Sequence, residues 1–301
     1  DITSQIEASA EVRYGKEKFS YLFGRAVTAG VSATGAVLPA TLPGVIDEAA
    51  MLTERHKLVA WGHVSNVTGA LLDARQAAAL AHKVGAKLLL DGCQSAPHMG
   101  VDVAALACDF YVFSAHKLYG PTGIGALWAR SEILGHMPPW QGGGAMIDRV
   151  TFERTTYAPA PQRFEAGTPN VADAIALGVA CDYLDALGRD RIAAHDAVLA
   201  QLAMEKLSTL PGIRIIGPRA GAERSGLVSF SFAEVHAHDI VTFADEDGVA
   251  LRGGHHCNQP LMRKLGLTST TRASFYLYNT EEEIDRLVAA LRRTLTFFVG
   301  S

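Results

Sequence analysis

Lys117 sits where chemistry is expected. The segment Asp109–Gly125 reads Asp-Phe-Tyr-Val-Phe-Ser-Ala-His-Lys-Leu-Tyr-Gly-Pro-Thr-Gly-Ile-Gly. A β-rich run over 110–113 ends, Ser114, His116 and Lys117 follow at once, and Gly120, Gly123 and Gly125 supply permissive backbone. Ligands of α/β proteins gather at the carboxyl edge of the sheet. A lysine partly desolvated there has a lowered pKa and can form a Schiff base. Taken alone, a lysine in a glycine-rich turn is most often a solvated surface charge. Asp91 weighs against that reading. It lies 26 residues earlier, where the apolar run 87–90 passes into Asp91-Gly-Cys-Gln94. A carboxylate at the end of a central strand is costly to bury without a partner. A protonated pyridine nitrogen is such a partner, and pyridoxal phosphate (PLP) needs both a lysine and an acidic group for its ring nitrogen.

These residues need elements to position them. The spacing predicts a helix over 47–57, the start of a strand over 58–61 and a helix over 70–84. Strands are expected over 87–90, 110–113 and 126–129. Short β-rich runs alternating with helices imply a mainly parallel sheet. A long helix is expected over 170–187, with Leu177, Cys181 and Leu184 on one face and Gly188 ending it. The next helix carries Leu199, Ala203, Leu207 and Leu210, and Pro211-Gly212 breaks it. Strands over 213–216, 227–232 and 249–252 follow. Thr280 and Glu283 form a capping box before a helix whose apolar face is Ile284, Leu287, Leu291 and Leu295. The expected division is a large α/β unit over 1–187 and a smaller α+β unit over 188–301.

The chain has 301 residues, 49% of them hydrophobic and 19% charged, which suits a globular protein with a sizeable core. Its net charge of −4 offers no basic field for nucleic acid or an anionic membrane surface. No apolar run reaches the roughly 18 residues of a membrane span. The polar, mixed-charge start does not read as a signal peptide. Four cysteines without a CxxC pair argue against a disulfide framework and for a reducing, cytoplasmic setting. Cys93 and Cys108 are expected as buried filling and Cys181 on an apolar helical face. His255-His256-Cys257 has no second ligand cluster elsewhere, so no metal site is expected. His236 and His238 read as surface or capping residues.

Several motifs in order resemble one family. These are His63-Val-Ser-Asn66, Asp91-Gly-Cys-Gln94, Asp109–Gly125, Met137-Pro-Pro-Trp-Gln-Gly-Gly-Gly144, Arg163-Phe-Glu-Ala-Gly-Thr-Pro-Asn170, Arg252-Gly-Gly-His-His-Cys257 and Arg272-Ala-Ser. Over about residues 55 to 298 the sequence is similar to the class V aminotransferases, and within them to the SufS-like (group II) cysteine desulfurases. The resemblance implies PLP fold type I, a mainly parallel sheet sandwiched by helices with a smaller C-terminal α+β unit. It implies that Lys117 carries PLP and moves the proton, that Asp91 holds the pyridinium nitrogen, and that Gln94 bonds the phenolic oxygen. Ser114 and His116 would contact the phosphate, joined by Thr168 from a neighbouring subunit, so a homodimer is implied. Asn66 and Arg252 would bind the substrate, Asn66 orienting it, and Arg272 would pair with its carboxylate, to which a guanidinium fork is matched.

Cys257 separates the sub-functions. It lies in a polar loop after the strand that ends in Arg252, so an accessible thiol is expected. The resemblance implies that its thiolate takes sulfur from L-cysteine, giving L-alanine and a persulfide for an acceptor protein, with iron–sulfur cluster assembly as the outlet. Positive charge from Arg252, His255 or His256 should favour the thiolate. Two alternatives stay open: a selenocysteine lyase or other class V lyase, and a non-catalytic scaffold subunit. The scaffold reading arises because the family has a longer upstream region with a phosphate turn and a ring-stacking histidine. Neither is legible before residue 55, where Phe23–Gly30 is a faint echo of the turn, so the large unit is expected to be incomplete at its N-terminal side.

Overall fold

The computed structural model describes residues 52–219 and 221–300. Strands β1 (Leu58–Gly62), β2 (Lys87–Asp91) and β3 (Phe110–Ser114) pair in parallel, and β4 (Gly125–Ala129) runs antiparallel on the β3 edge. The sheet is thus mainly parallel, with an antiparallel edge that the alternating pattern did not disclose. The segment 115–124 is too short for the crossover of a dozen or more residues that a parallel return needs.

Helix α1 (Ala74–Lys83) lays Ala74, Ala77, Ala78 and Ala81 on Val59, Trp61, Leu88 and Leu90. It begins four residues later than its pattern suggests. Leu72 N–H donates to His63 O and Val64 bridges Leu71, so residues before Asp73 spend their backbone bonds on the exit from β1. Asp73 then caps the helix by accepting from Gln76 N–H at 2.9 Å. The helix expected over 47–57 is absent where described: residues 52–57 form a turn in which Thr53 N–H donates to His56 Nδ1 at 3.0 Å. Residues 47–51, like Phe23–Gly30, lie outside the described residues. Short helices α2 (Val103–Leu106) and α3 (Ser131–His136) and the hairpin β5 (Ile147–Val150) and β6 (Thr155–Tyr157) complete this half.

Helix α4 (Val171–Leu187) starts at the Asn170 cap. It packs Leu177, Cys181 and Leu184 against Leu118, Ile192 and Tyr276. Gly188, at φ +90°, separates it from α5 (Arg189–Leu207). A second, wholly antiparallel sheet runs β7 (Ile213–Ile216), β8 (Leu227–Phe232), β10 (Thr270–Ser274), β9 (Arg252–Gly254). Helix α6 (Ala237–Glu246) precedes β9, and α7 (Gln259–Leu265) lies between β9 and β10. The strand expected over 249–252 is displaced to Arg252–Gly254, because Val249 N–H is used to close the end of α6 on Ala244 O. Strand β10 gave no apolar signal: Thr270 and Thr271 are both fully buried, hidden behind polar residue types. Helix α8 (Glu281–Val299) opens with Thr280 N–H donating to Glu283 Oε2 at 3.0 Å. Its face of Ile284, Leu287, Leu291 and Leu295 joins Leu199 and Phe230 in a core separate from that of the first sheet.

Candidate active site

The three parallel strands end at one edge. His63 N–H donates to Asp91 O and Gly92 N–H to Val112 O, so the turns after β1 and β2 are pinned side by side. Gly92 is required there: a Cβ would stand 2.1 Å from Tyr111 Cζ. The Tyr111 hydroxyl bonds Ser95 Oγ at 2.7 Å, and His63 Nδ1 bonds the same Oγ at 3.0 Å. Burial lowers the His63 pKa and raises that of Tyr111 to about 12, so both are neutral braces at neutral pH.

Asp91 is the last residue of β2, and its Oδ1 accepts from Cys93 N–H at 2.9 Å. Cys93 Sγ lies 3.7 Å from Ser114 Oγ at the end of β3. Burial pushes the Cys93 thiol up, as does Asp91, while Ser114 and Lys117 oppose the rise. Asp91, Ser114 and Lys117 therefore surround one half-buried thiol. Cys93 is part of this cluster, and the expectation of a buried filler is corrected; Cys108, fully buried, meets it. Lys117 is carried on a 3₁₀ turn, Ala115–Lys117, closed by Gly120 N–H on Ala115 O.

A second cluster is joined to the turn after β1 through Asn66. Asn66, three residues after His63, donates from Nδ2 to His256 O at 2.7 Å. Arg272 Nη1, on β10, donates to Asn66 O at 2.8 Å, while its Nε is buried without a partner. Burial lowers the Arg272 pKa, as does Arg252. Arg252 Nη2 lies 3.7 Å from Cys257 Sγ, and Cys257 is exposed, as its polar loop implied. His256 differs from expectation. It is 2% exposed, and burial together with Arg272 and Arg252 pushes its pKa down to about 4. It is neutral at pH 7 and supplies no charge to the thiol; Arg252 does.

The side chains of Gln94, His116 and Thr168 make no hydrogen bond to either cluster among the described residues. Thr168 is exposed beside Gly167, which is tied to Gly144 by Gly167 N–H on Gly144 O. Two residues on, Asn170 Nδ2 donates to Gly123 O at 3.4 Å, placing this segment along the Lys117 turn. Arg163 donates to the carbonyls of Ala158, Gly135 and Met137 and so holds the Met137–Gly144 segment. No group of three His, Cys, Asp or Glu suited to a metal occurs among the described residues. His236 caps α6, accepting from His238 N–H, and also meets Ser269 Oγ at 3.3 Å. Sequence reading missed the fixed, neutral role of His256; its only signal was the doubled histidine.

A sequence profile described as aminotransferase class-V matches residues 32–287. The chain belongs to the class-V aminotransferase family. Within reach of this class-V chain is a protein of Mycobacterium leprae (strain TN), "Probable cysteine desulfurase 2". It is 53% identical over 256 residues, covering 85% of this chain and 61% of that protein. A "Cysteine desulfurase" of Dickeya dadantii (strain 3937) is 50% identical over 261 residues, covering 85% of this chain and 63% of that one. The crystal structure of the cysteine desulfurase CsdA (S-sulfonic acid) from Escherichia coli superposes with a TM-score of 0.81 at 44% identity. That match covers 86% of this chain and 64% of that chain. The chain thus spans about three-fifths of the length of the curated relatives it matches. The class-V architecture is the type I PLP fold expected from the motifs. No helix among the described residues is long and apolar enough to cross a membrane.

Proposed function

We propose that this chain is a PLP-dependent L-cysteine desulfurase of the SufS-like group, with Cys257 as the sulfur-accepting nucleophile. The observation that carries it is an exposed thiol 3.7 Å from a guanidinium, on a loop braced by Asn66 to the carboxyl edge that bears Asp91. The donor set suits PLP. Lys117 offers an amine, Ser114 and His116 offer donors for a phosphate, and Asp91 keeps its second carboxylate oxygen unbonded among the described residues. Gln94 and Thr168 complete the reading, Thr168 from a second subunit.

Each residue's task follows from its surroundings. Arg272 is held by Asn66 O, and its orphaned Nε is left for a substrate carboxylate. Asn66 sets the substrate's orientation from the same turn. Asp91 keeps a pyridinium protonated, and bound PLP supplies the electron sink. Lys117 Nζ carries the proton released from the substrate Cα. Arg252 stabilises the Cys257 thiolate, which attacks the substrate sulfur. The substrate C–S bond breaks, an S–S bond forms on Cys257, and the substrate carbon gains a proton. L-Cysteine and a thiol thus become L-alanine and a persulfide, with no outside oxidant.

A sulfur-acceptor protein takes the persulfide, with iron–sulfur cluster assembly as the outlet. A homodimer is supported by Val171, Ile175, Val179 and Tyr183, an exposed stripe at four-residue spacing on α4. Two units, 1–187 and 188–301, are supported by the two separate cores and the Gly188 break. Four free cysteines suit a reducing compartment such as the cytoplasm. The test is incubation with PLP, L-cysteine and a reductant, which should yield alanine and sulfide. Cys257→Ala should abolish turnover; unchanged turnover would overturn the nucleophile assignment.

A further inference from the structure

We propose that His256 is a positioning residue: its buried imidazole locks the left-handed turn that presents Cys257 Sγ to Arg252. The inference rests on the desulfurase reading for its catalytic consequence, but its structural half stands on this chain alone. His256 and Cys257 are consecutive Cβ-bearing residues at φ +53° and +61°. Cβ-bearing residues enter that region only uncommonly, His more readily than Cys, so two of them in succession need outside support.

Support comes from both sides of His256. Its Nε2 lies 3.1 Å from Thr270 O and 2.9 Å from Thr270 Oγ1. A carbonyl only accepts, so Nε2 carries the proton and Nδ1 presents a lone pair. That Nδ1 is buried without a partner. On the backbone side, Asn66 Nδ2 holds His256 O at 2.7 Å. Asn258 N–H then returns to His255 O at 3.0 Å, and Asn258 caps α7. Cys257 is therefore the free apex of a turn fixed before and after it. A charged imidazole would stand beside Arg252 and Arg272; burial and these two guanidiniums keep the ring neutral.

Two substitutions test this in the full chain. His256→Asn keeps tolerance of the left-handed backbone but is too short to reach Thr270; His256→Gln keeps a side-chain N–H with that reach. Iodoacetamide alkylation of Cys257, followed by peptide mass at one fixed pH, reads the turn without any turnover. H256N should slow it at least about tenfold, as expected for losing a hydrogen bond to a charged sulfur. Alkylation of Cys181, on α4, should not change. With PLP and L-cysteine, H256N should lower kcat about tenfold through misplacement of the nucleophile and leave KM unchanged. H256Q should restore most of both. Wild-type alkylation in H256N, or a rise in KM in place of the fall in kcat, would overturn the proposal. So would failure of H256Q to recover. If the wild-type chain makes no alanine, the desulfurase reading fails, and the alkylation arm still decides His256.

Discussion

Asn66 Nδ2 lies 2.7 Å from the carbonyl oxygen of His256, a residue 190 positions further along the chain. The bond joins the turn after β1 to the loop that carries Cys257, and Arg272 grips the same asparagine from β10. One amide thus ties the carboxyl edge of the first sheet to the loop of Cys257 and to Arg272 on the second.

Removing it should loosen that junction. Asn66→Ala is expected to cost about 1 kcal/mol of stability, the usual worth of a hydrogen bond. Asn66→Asp should cost more, because it sets a carboxylate against a carbonyl oxygen. Urea midpoints of the two variants check the order, and an aspartate as stable as the alanine would contradict it.

Lys117 should be the site of cofactor attachment. The wild-type chain treated with PLP and borohydride should gain a covalent adduct on the peptide bearing Lys117. Lys117→Ala should gain none. An adduct of equal yield in that variant would place the Schiff base on another lysine.

Gly92 has no room for a methyl group. Its Cβ would fall 2.1 Å from the buried Tyr111 ring, which cannot swing aside without losing Ser95. Gly92→Ala is expected to destabilise by roughly 3 kcal/mol, the upper range of overpacking. It should also weaken PLP uptake by displacing Asp91. Thermal melting and a cofactor titration read the two effects separately.

Asp109 anchors the start of β3. Its carboxylate accepts from His82 Nε2 at 2.7 Å, Leu88 N–H at 2.9 Å and Lys87 Nζ at 3.2 Å, and it is 2% exposed. Burial pushes its pKa up, but these three donors outweigh burial and hold it below the ordinary value. A depressed carboxyl stabilises the fold fully above its unfolded pKa of about 4, and that contribution fades as pH falls through the folded value. Asp109→Asn should cost about 2 kcal/mol at pH 7. The gap from wild type should close on acidification below about pH 4, measured as urea midpoints against pH. A gap constant with pH would show that the charge is not the stabilising feature.

Much of the site was legible because its residues are local neighbours of strand ends. Lys117 follows a buried strand by three residues and Asp91 ends another, so periodicity and glycine placement sufficed to put both at one sheet edge. The capping box at Thr280 and the apolar faces of α5 and α8 were equally readable, since a helix buries residues three and four apart. Strand β10 was not, because its buried threonines look polar in isolation. The direction of β4 was not, because alternation reports a strand and not its sense.

Residue order by itself determined the longer helices and the apolar strands, the chemical types at the carboxyl edge and the ordered motifs that carry the family. Those follow from preferences acting over a few neighbouring residues. Only the tertiary structure decided that His256 is a neutral brace and that Cys93 shares the space of Asp91, Ser114 and Lys117. It also decided that Asn66 holds the loop of Cys257. Burial, charge state and hydrogen-bond partnership depend on groups brought from distant sequence, and no local pattern encodes which groups those are.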